Sequence, residues 1–261
     1  MKKSAILSAV LASTIILGGV TSVSAANFDG SLKATSEAKV QFTKPTTPEI
    51  VDPDNPEKPV IPVDPEDPNN PDKNGTNPNN DSELLLKFVP EFDFGEHEWS
   101  AEGFEANAKS IQVRNKEGEI EERAPFVVTQ DLRTQRGDGW SLKVSSGGFK
   151  HKESGNELIG AEIVFTNASY GSQKNRPKVS TKAEKTDLTE GFSLKKESET
   201  LAYTDLEENP NSGQGIHSLK LGNLTDDNLT DGVTFKLAPN TPASTGDYQA
   251  TLNWELVTNV Q

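Results

Sequence analysis

Cysteine is absent from this chain of 261 residues, methionine occurs once and histidine three times. Without cysteine there is no disulfide, no thiol nucleophile and no thiolate metal site, so the fold must rest on its core alone. His97, His151 and His217 are scattered, and His97-Glu98 runs on into Trp99-Ser100-Ala101, which breaks the two-histidine zinc signature. No nucleophile elbow and no phosphate-cradling glycine loop occurs. Carboxylates are plentiful, yet nothing in their order singles out the pair a glycosidase needs. The expectation is a protein that is not an enzyme and carries neither cofactor nor metal. Positive charge is also scarce: 26 lysines and arginines face 40 acidic residues, a net charge of −14. Such a surface repels nucleic acid and anionic lipid, so neither is an expected partner.

Long apolar runs are confined to the start. Lys2 and Lys3 precede an apolar stretch from Ala5 to Val20, and Val23-Ser24-Ala25 supplies a small-x-small cleavage pattern. Residues 1–25 therefore read as a signal peptide, removed on export, with no membrane insertion afterwards. The last residues, Trp254 to Gln261, hold no sorting motif, apolar stretch or basic tail. Retention at a surface is then expected to be non-covalent or through a partner.

Residues 45–80 stand apart. They hold ten of the sixteen prolines, spaced by three from Pro53 to Pro71, among many Asp and Asn. Polyproline II repeats about every three residues, so this stretch reads as an extended, disordered Pro/Asp-rich spacer. Before it, in residues 26–44, Ala38, Val40 and Phe42 alternate with polar residues, as in a strand that joins the main domain.

Over residues 81–261 alternation dominates. Trp140, Leu142 and Val144 form one such row, as do Ala161, Ile163 and Phe165, then Val233, Phe235 and Leu237, and finally Tyr248, Ala250, Leu252, Trp254 and Leu256. Turn signals such as Gly147-Gly148 and Asp231-Gly232 separate them, and no helical period persists. The expected fold is all-β, a β-sandwich-like domain of many short strands. Two short motifs carry weaker readings. The Asn223–Gly232 repeat clusters carboxylates in a turn, and Arg136-Gly137-Asp138 spells an integrin-type tripeptide.

Two of the three tryptophans fall in Trp140-Ser141-Leu142 and Trp254-Glu255-Leu256. On a strand, each triplet puts an indole beside a leucine on one face. That is core packing, or else a partly exposed apolar or sugar-stacking patch. The triplets are expected on one sheet or sheet edge, with Asp131 or Arg133 as a polar rim, Trp254 mostly buried and Trp140 partly so. Together with Val128 to Arg133, Phe92-Asp93-Phe94-Gly95, Val40-Gln41-Phe42, the spacer and the leader, they make the chain resemble the WxL-domain surface proteins of Gram-positive bacteria. The resemblance implies non-covalent attachment to the cell wall, with peptidoglycan as target. It also implies an assembly with other surface proteins, including a membrane-anchored partner. Candidate binding residues are Trp140, Leu142, Trp254, Leu256, Asp131 and Arg133. An adhesin for a host protein or glycan, with wall attachment secondary, is the competing reading.

Overall fold

A computed structural model describes residues 27–29, 31–36, 38–41, 50–64, 67–68, 70, 75–79 and 82–258. The leader lies outside the described residues. Residues 1–46 form a unit of their own, in which β1 (Asn27–Asp29) and β2 (Lys33–Thr35) make an antiparallel hairpin. Ala38–Gln41 carry no strand, Val40 is exposed, and Phe42 lies outside the described residues.

The second unit, from Thr47 onward, is all-β, with no helix among the described residues. Its strands are β3 (Ile50–Val51), β4 (Pro59–Pro62), β5 (Leu84–Phe88), β6 (Phe104–Lys109), β7 (Ile111–Arg114), β8 (Ile120–Arg123), β9 (Phe126–Asp131) and β10 (Trp140–His151). They continue as β11 (Ala161–Phe165), β12 (Ala168–Tyr170), β13 (Lys178–Val179), β14 (Phe192–Ser193), β15 (Glu199–Tyr203), β16 (Gly215–Leu221), β17 (Leu229–Leu237) and β18 (Tyr248–Thr258). They form four small sheets, ordered β13-β15-β10-β18, β14-β11-β17-β6, β12-β16-β9-β5 and β3-β4-β7-β8. The all-β expectation of many short strands therefore holds, and each alternating row named within residues 81–261 lies within one strand.

Two cores divide the packing. The main one draws Trp140, Leu142 and Val144 from β10, Ile163 and Phe165 from β11, Val233 and Phe235 from β17, and Val127 from β9. The smaller holds Ile50, Val60, Phe88, Val113, Phe126 and Val128. β9 contributes to both, because successive side chains of a strand point to opposite faces. All six of its residues are buried. That explains why Phe126-Val127-Val128 reads as a continuous apolar run without alternation.

The reading of 45–80 as a structureless spacer fails for residues 50–64. Ile50 pairs with Val60 and Val51 with Pro59, while β4 pairs with β7 through Ile61–Arg114 and Pro62–Val113. Ile50 and Val60 are almost fully buried in the smaller core. Between them, Asp52 folds the turn. Its Oδ1 accepts the Asp54 N–H at 2.9 Å, and its Oδ2 accepts Arg123 Nη2 at 2.8 Å. Farther on, the Asn77 N–H donates to Lys87 O at 2.7 Å, on the edge of β5. Of the described prolines, Pro53, Pro56, Pro68 and Pro78 sit at turns or bends and Pro59 and Pro62 in a short strand, rather than along a rod. Proline and charge content outweighed a few apolar residues in the sequence reading, yet burying Ile50 and Val60 on a prepared surface suffices to order the segment.

Candidate functional site

The two Trp-x-Leu triplets lie on neighbouring antiparallel strands. Leu142 stands opposite Leu256, Trp140 opposite Thr258 and Val144 opposite Trp254. Opposed residues of an antiparallel pair point to the same face, so all four motif side chains turn toward the main core. The Leu142–Leu256 pair is a local pseudo-twofold centre, with each tryptophan two residues before its leucine. Exposure runs opposite to the sequence expectation. Trp140 and Leu142 are 0% exposed, whereas Trp254 and Leu256 are half-buried. The cause is position in the sheet: β10 lies between β15 and β18, and β18 is an edge.

Trp140 is held on every side. Its backbone N–H donates to Thr204 Oγ1 at 2.9 Å and its carbonyl accepts the Thr204 N–H at 3.0 Å, while the buried indole Nε1 makes no hydrogen bond among the described residues. Gly139, at φ +83°, leaves room for this contact, since a Cβ there would lie 2.0 Å from Thr204 Oγ1. Gly213 lies on the indole, where a Cβ would stand 3.0 Å from both Cζ2 and Nε1. Trp254 has a looser setting and stacks on Phe165, with ring centroids 6.1 Å apart.

Asp131, at the end of β9, is fully buried rather than part of an exposed rim. Arg133 Nε donates to its Oδ1 and Nη2 to its Oδ2, both at 2.9 Å, and Arg136 Nε donates to Oδ2 at 3.1 Å. Burial pushes the carboxyl up, but the hydrogen bonds and charge of Arg133, with the hydrogen bond of Arg136, more than offset this and hold it below its ordinary value. Arg136 also donates to the carbonyls of Pro210 and Ser212, beside Gly213. A chain of contacts thus runs from Asp131 through Arg136 to the turn that covers Trp140. Sequence reasoning named Arg133 as the candidate and gave Arg136 only as part of the tripeptide, yet Arg136 is the more enclosed side chain at 9% exposure against 18%. Because Arg136 is engaged inward, the Arg136-Gly137-Asp138 tripeptide does not present its arginine to solvent.

His217 lies close behind. It stands opposite Thr129 on β9, and its Nε2–H donates to Gln214 O at 2.9 Å. Burial, with the charge of Arg136, lowers its pKa from the ordinary value despite that hydrogen bond. In the Asn223–Gly232 turn, the Asp231 carboxylate is taken up by the Asn223 N–H at 2.6 Å and by Asn167 Nδ2 at 3.1 Å.

Trp99, passed over in the sequence reading, is the exposed indole. It is 55% exposed, and its Nε1–H donates to Thr241 O at 2.9 Å, which fixes the ring. Ile159 is also exposed, next to Gly160, which abuts the same Thr241. The only signal in the sequence was the lack of any alternation around Trp99, which marks it as a loop residue.

Compared with known families, residues 30–259 match the one described as WxL domain, surface cell wall-binding. No curated protein and no solved structure matches.

Proposed function

Because the chain belongs to the WxL domain family, a surface domain that binds the cell wall, we propose that it is an exported protein attached non-covalently to peptidoglycan. It acts by binding, without catalysis, in an assembly with other surface proteins that include a membrane-anchored one. The observation that carries this reading is the extent of the family match, from residue 30 to residue 259.

Trp140, Leu142 and Asp131 are enclosed and cannot touch a polymer. In this reading they hold the domain in shape, and the contact with sugar falls to Trp99. An indole fixed through its N–H offers its face to a pyranose at little entropic cost. The host-adhesin reading loses the support of the tripeptide, whose Arg136 is engaged with Asp131.

Sedimentation of the purified protein with washed walls, and with peptidoglycan stripped of acidic polymers, tests the proposal. Binding should survive the stripping, because a chain of net charge −14 gains nothing from acidic polymers. Concentrated lithium chloride should then release the intact chain. Binding lost with the acidic polymers, or release only by muramidase with sugar attached, would overturn it.

A further inference from the structure

We propose that the outer edge of β18 is a docking site for an extended strand from a different protein, one whose apolar residues alternate with basic ones. This rests on the assembly reading above and names the surface through which the assembly would form.

The edge is long and undefended. Among the described residues β18 ends its sheet and pairs with β10 alone, and it runs for 11 residues without proline, lysine or glycine. The other sheet edges are shielded among the described residues. β3, β13 and β14 have two residues each, and β12 has three. β8 carries Glu121, Glu122 and Arg123. β5 is crossed by Thr76 and Asn77, and Lys109 of β6 donates its N–H to Asp93 O. Proteins blunt exposed edges by shortness, charge or cover, because a free ladder recruits other strands. β18 has neither shortness nor cover among the described residues, and Glu255 is its single charge.

The direction of its backbone follows from its neighbour. The Trp140 carbonyl accepts from Thr204, Ser146 N–H donates to Lys195 O, and the Phe149 carbonyl accepts from Leu158. These residues of β10 point their backbone groups away from β18. Their partners Thr258, Leu252 and Ala250 therefore point outward in an antiparallel ladder, and by alternation so do Trp254 and Leu256. No backbone bond reaches these groups from the outer side among the described residues. The second Trp-x-Leu motif thus presents its main chain to whatever lies beyond the sheet.

The side-chain row, which faces the main core, supports the same docking. Tyr248, Ala250, Leu252, Trp254 and Leu256 are all half-buried, while Trp140, Leu142 and Val144 beside them on β10 are at most 1% exposed. An added strand would cover that row as β18 covers the row on β10, and strand addition of this kind draws affinity from the ladder and specificity from alternate side chains.

Charge selects the occupant. Two copies are repelled by a net charge of −14 each. Antiparallel self-pairing over the whole strand, centred on Asn253, would set Glu255 against Thr251 of the other copy and give its carboxylate no positive partner. A strand bearing lysine or arginine opposite Glu255 and Asp247 meets both carboxylates favourably.

Residue-resolved hydrogen exchange on the full chain tests this, with a short synthetic peptide alternating valine and leucine with lysine and threonine. In the free protein the amides of Ala250, Leu252, Trp254 and Leu256 should exchange fast, and those of Thr251, Asn253 and Glu255 slowly. Saturating peptide should slow the first set by about tenfold or more and leave the second unchanged. Ala250→Pro removes an outward donor but no bond to β10, so it should abolish the effect while wall sedimentation persists. Outer amides already protected without peptide, protection that grows with protein concentration alone, or no protection at saturation would each overturn the proposal. Loss of wall binding by the unmodified protein would sink the attachment reading instead, and leaves the exchange result standing on its own.

Discussion

Replacing each tryptophan in turn by alanine should separate three roles that the sequence cannot tell apart. Trp140 is fully buried, and the walls of its pocket are backbone-held: Gly213 covers the indole and Thr204 brackets its main chain at both ends. Such a site cannot collapse onto the void, so Trp140→Ala should lie in the upper part of the range of about 3–5 kcal/mol for large aromatic truncations. For a domain of this size, about 2–4 °C is lost per kcal/mol, so the melting temperature should fall by roughly 10–20 °C. Trp254 keeps one side open at the sheet edge and stacks on Phe165 with the other. Losing about half as much buried area, Trp254→Ala should cost roughly 2 kcal/mol. Trp99→Ala removes an exposed ring and one hydrogen bond, and should cost no more than about 1 kcal/mol. Calorimetry, with far-ultraviolet circular dichroism to follow unfolding, reads all three without relying on tryptophan emission. Wall sedimentation on the same proteins should show the reverse order, with Trp99→Ala binding least while fully folded. A Trp254→Ala protein less stable than Trp140→Ala, or Trp99→Ala with undiminished wall binding, would refute the reasoning.

The segment 50–64 offers a second check: Ile50→Ala should destabilise by about 2–4 kcal/mol in urea melts, whereas a true spacer would show no change. The arginines beside Asp131 should differ, with Arg136→Met costing more stability than Arg133→Met because only Arg136 also holds the turn over Trp140; equal losses would show that the turn needs no such clamp. His217 has a folded pKa below its unfolded value, so the unfolded chain takes up its proton first and stability is lost as pH falls below about 6.5. His217→Gln should flatten the melting temperature between pH 7 and pH 5, and an unchanged slope would place the acid sensitivity elsewhere. Asp131 acts in the same direction but lower down: its folded pKa is depressed, so its contribution is complete above the unfolded value of about 4 and disappears below it.

The strands easiest to read were those with alternating rows. Tyr248 to Leu256 alternate because solvent meets every second residue, while Trp140 to Val144, Ala161 to Phe165 and Val233 to Leu237 alternate in sequence although Ser141, Val164 and Thr234 between them are buried; each row lies inside a strand. β9 was harder, since burial on both sides erases that alternation. β3 and β4 were hidden for another reason: composition averages over many residues, whereas Ile50 and Val60 act as individuals on a surface made by distant strands. The pairing of the two triplets followed from their likeness. Their order of exposure did not, because whether a strand lies inside a sheet or at its edge depends on neighbours far along the chain. Arg136 and Trp99 were passed over as candidates on the same ground, as one faces inward through a turn and the other is fixed by Thr241, 142 residues away.

β9 acts as a partition wall with a load on each side. Val127 faces the main core, while Phe126 and Val128 face the small one. The six residues of the small cluster are too few to stand as an independent domain, and two of them, Phe126 and Val128, belong to a strand locked into the larger core. The two cores therefore melt together. The hairpin around Asp52 rests on the smaller core, to which the same plank contributes before it ends in Asp131, so the start of the domain and the clamp over Trp140 have one lever in common.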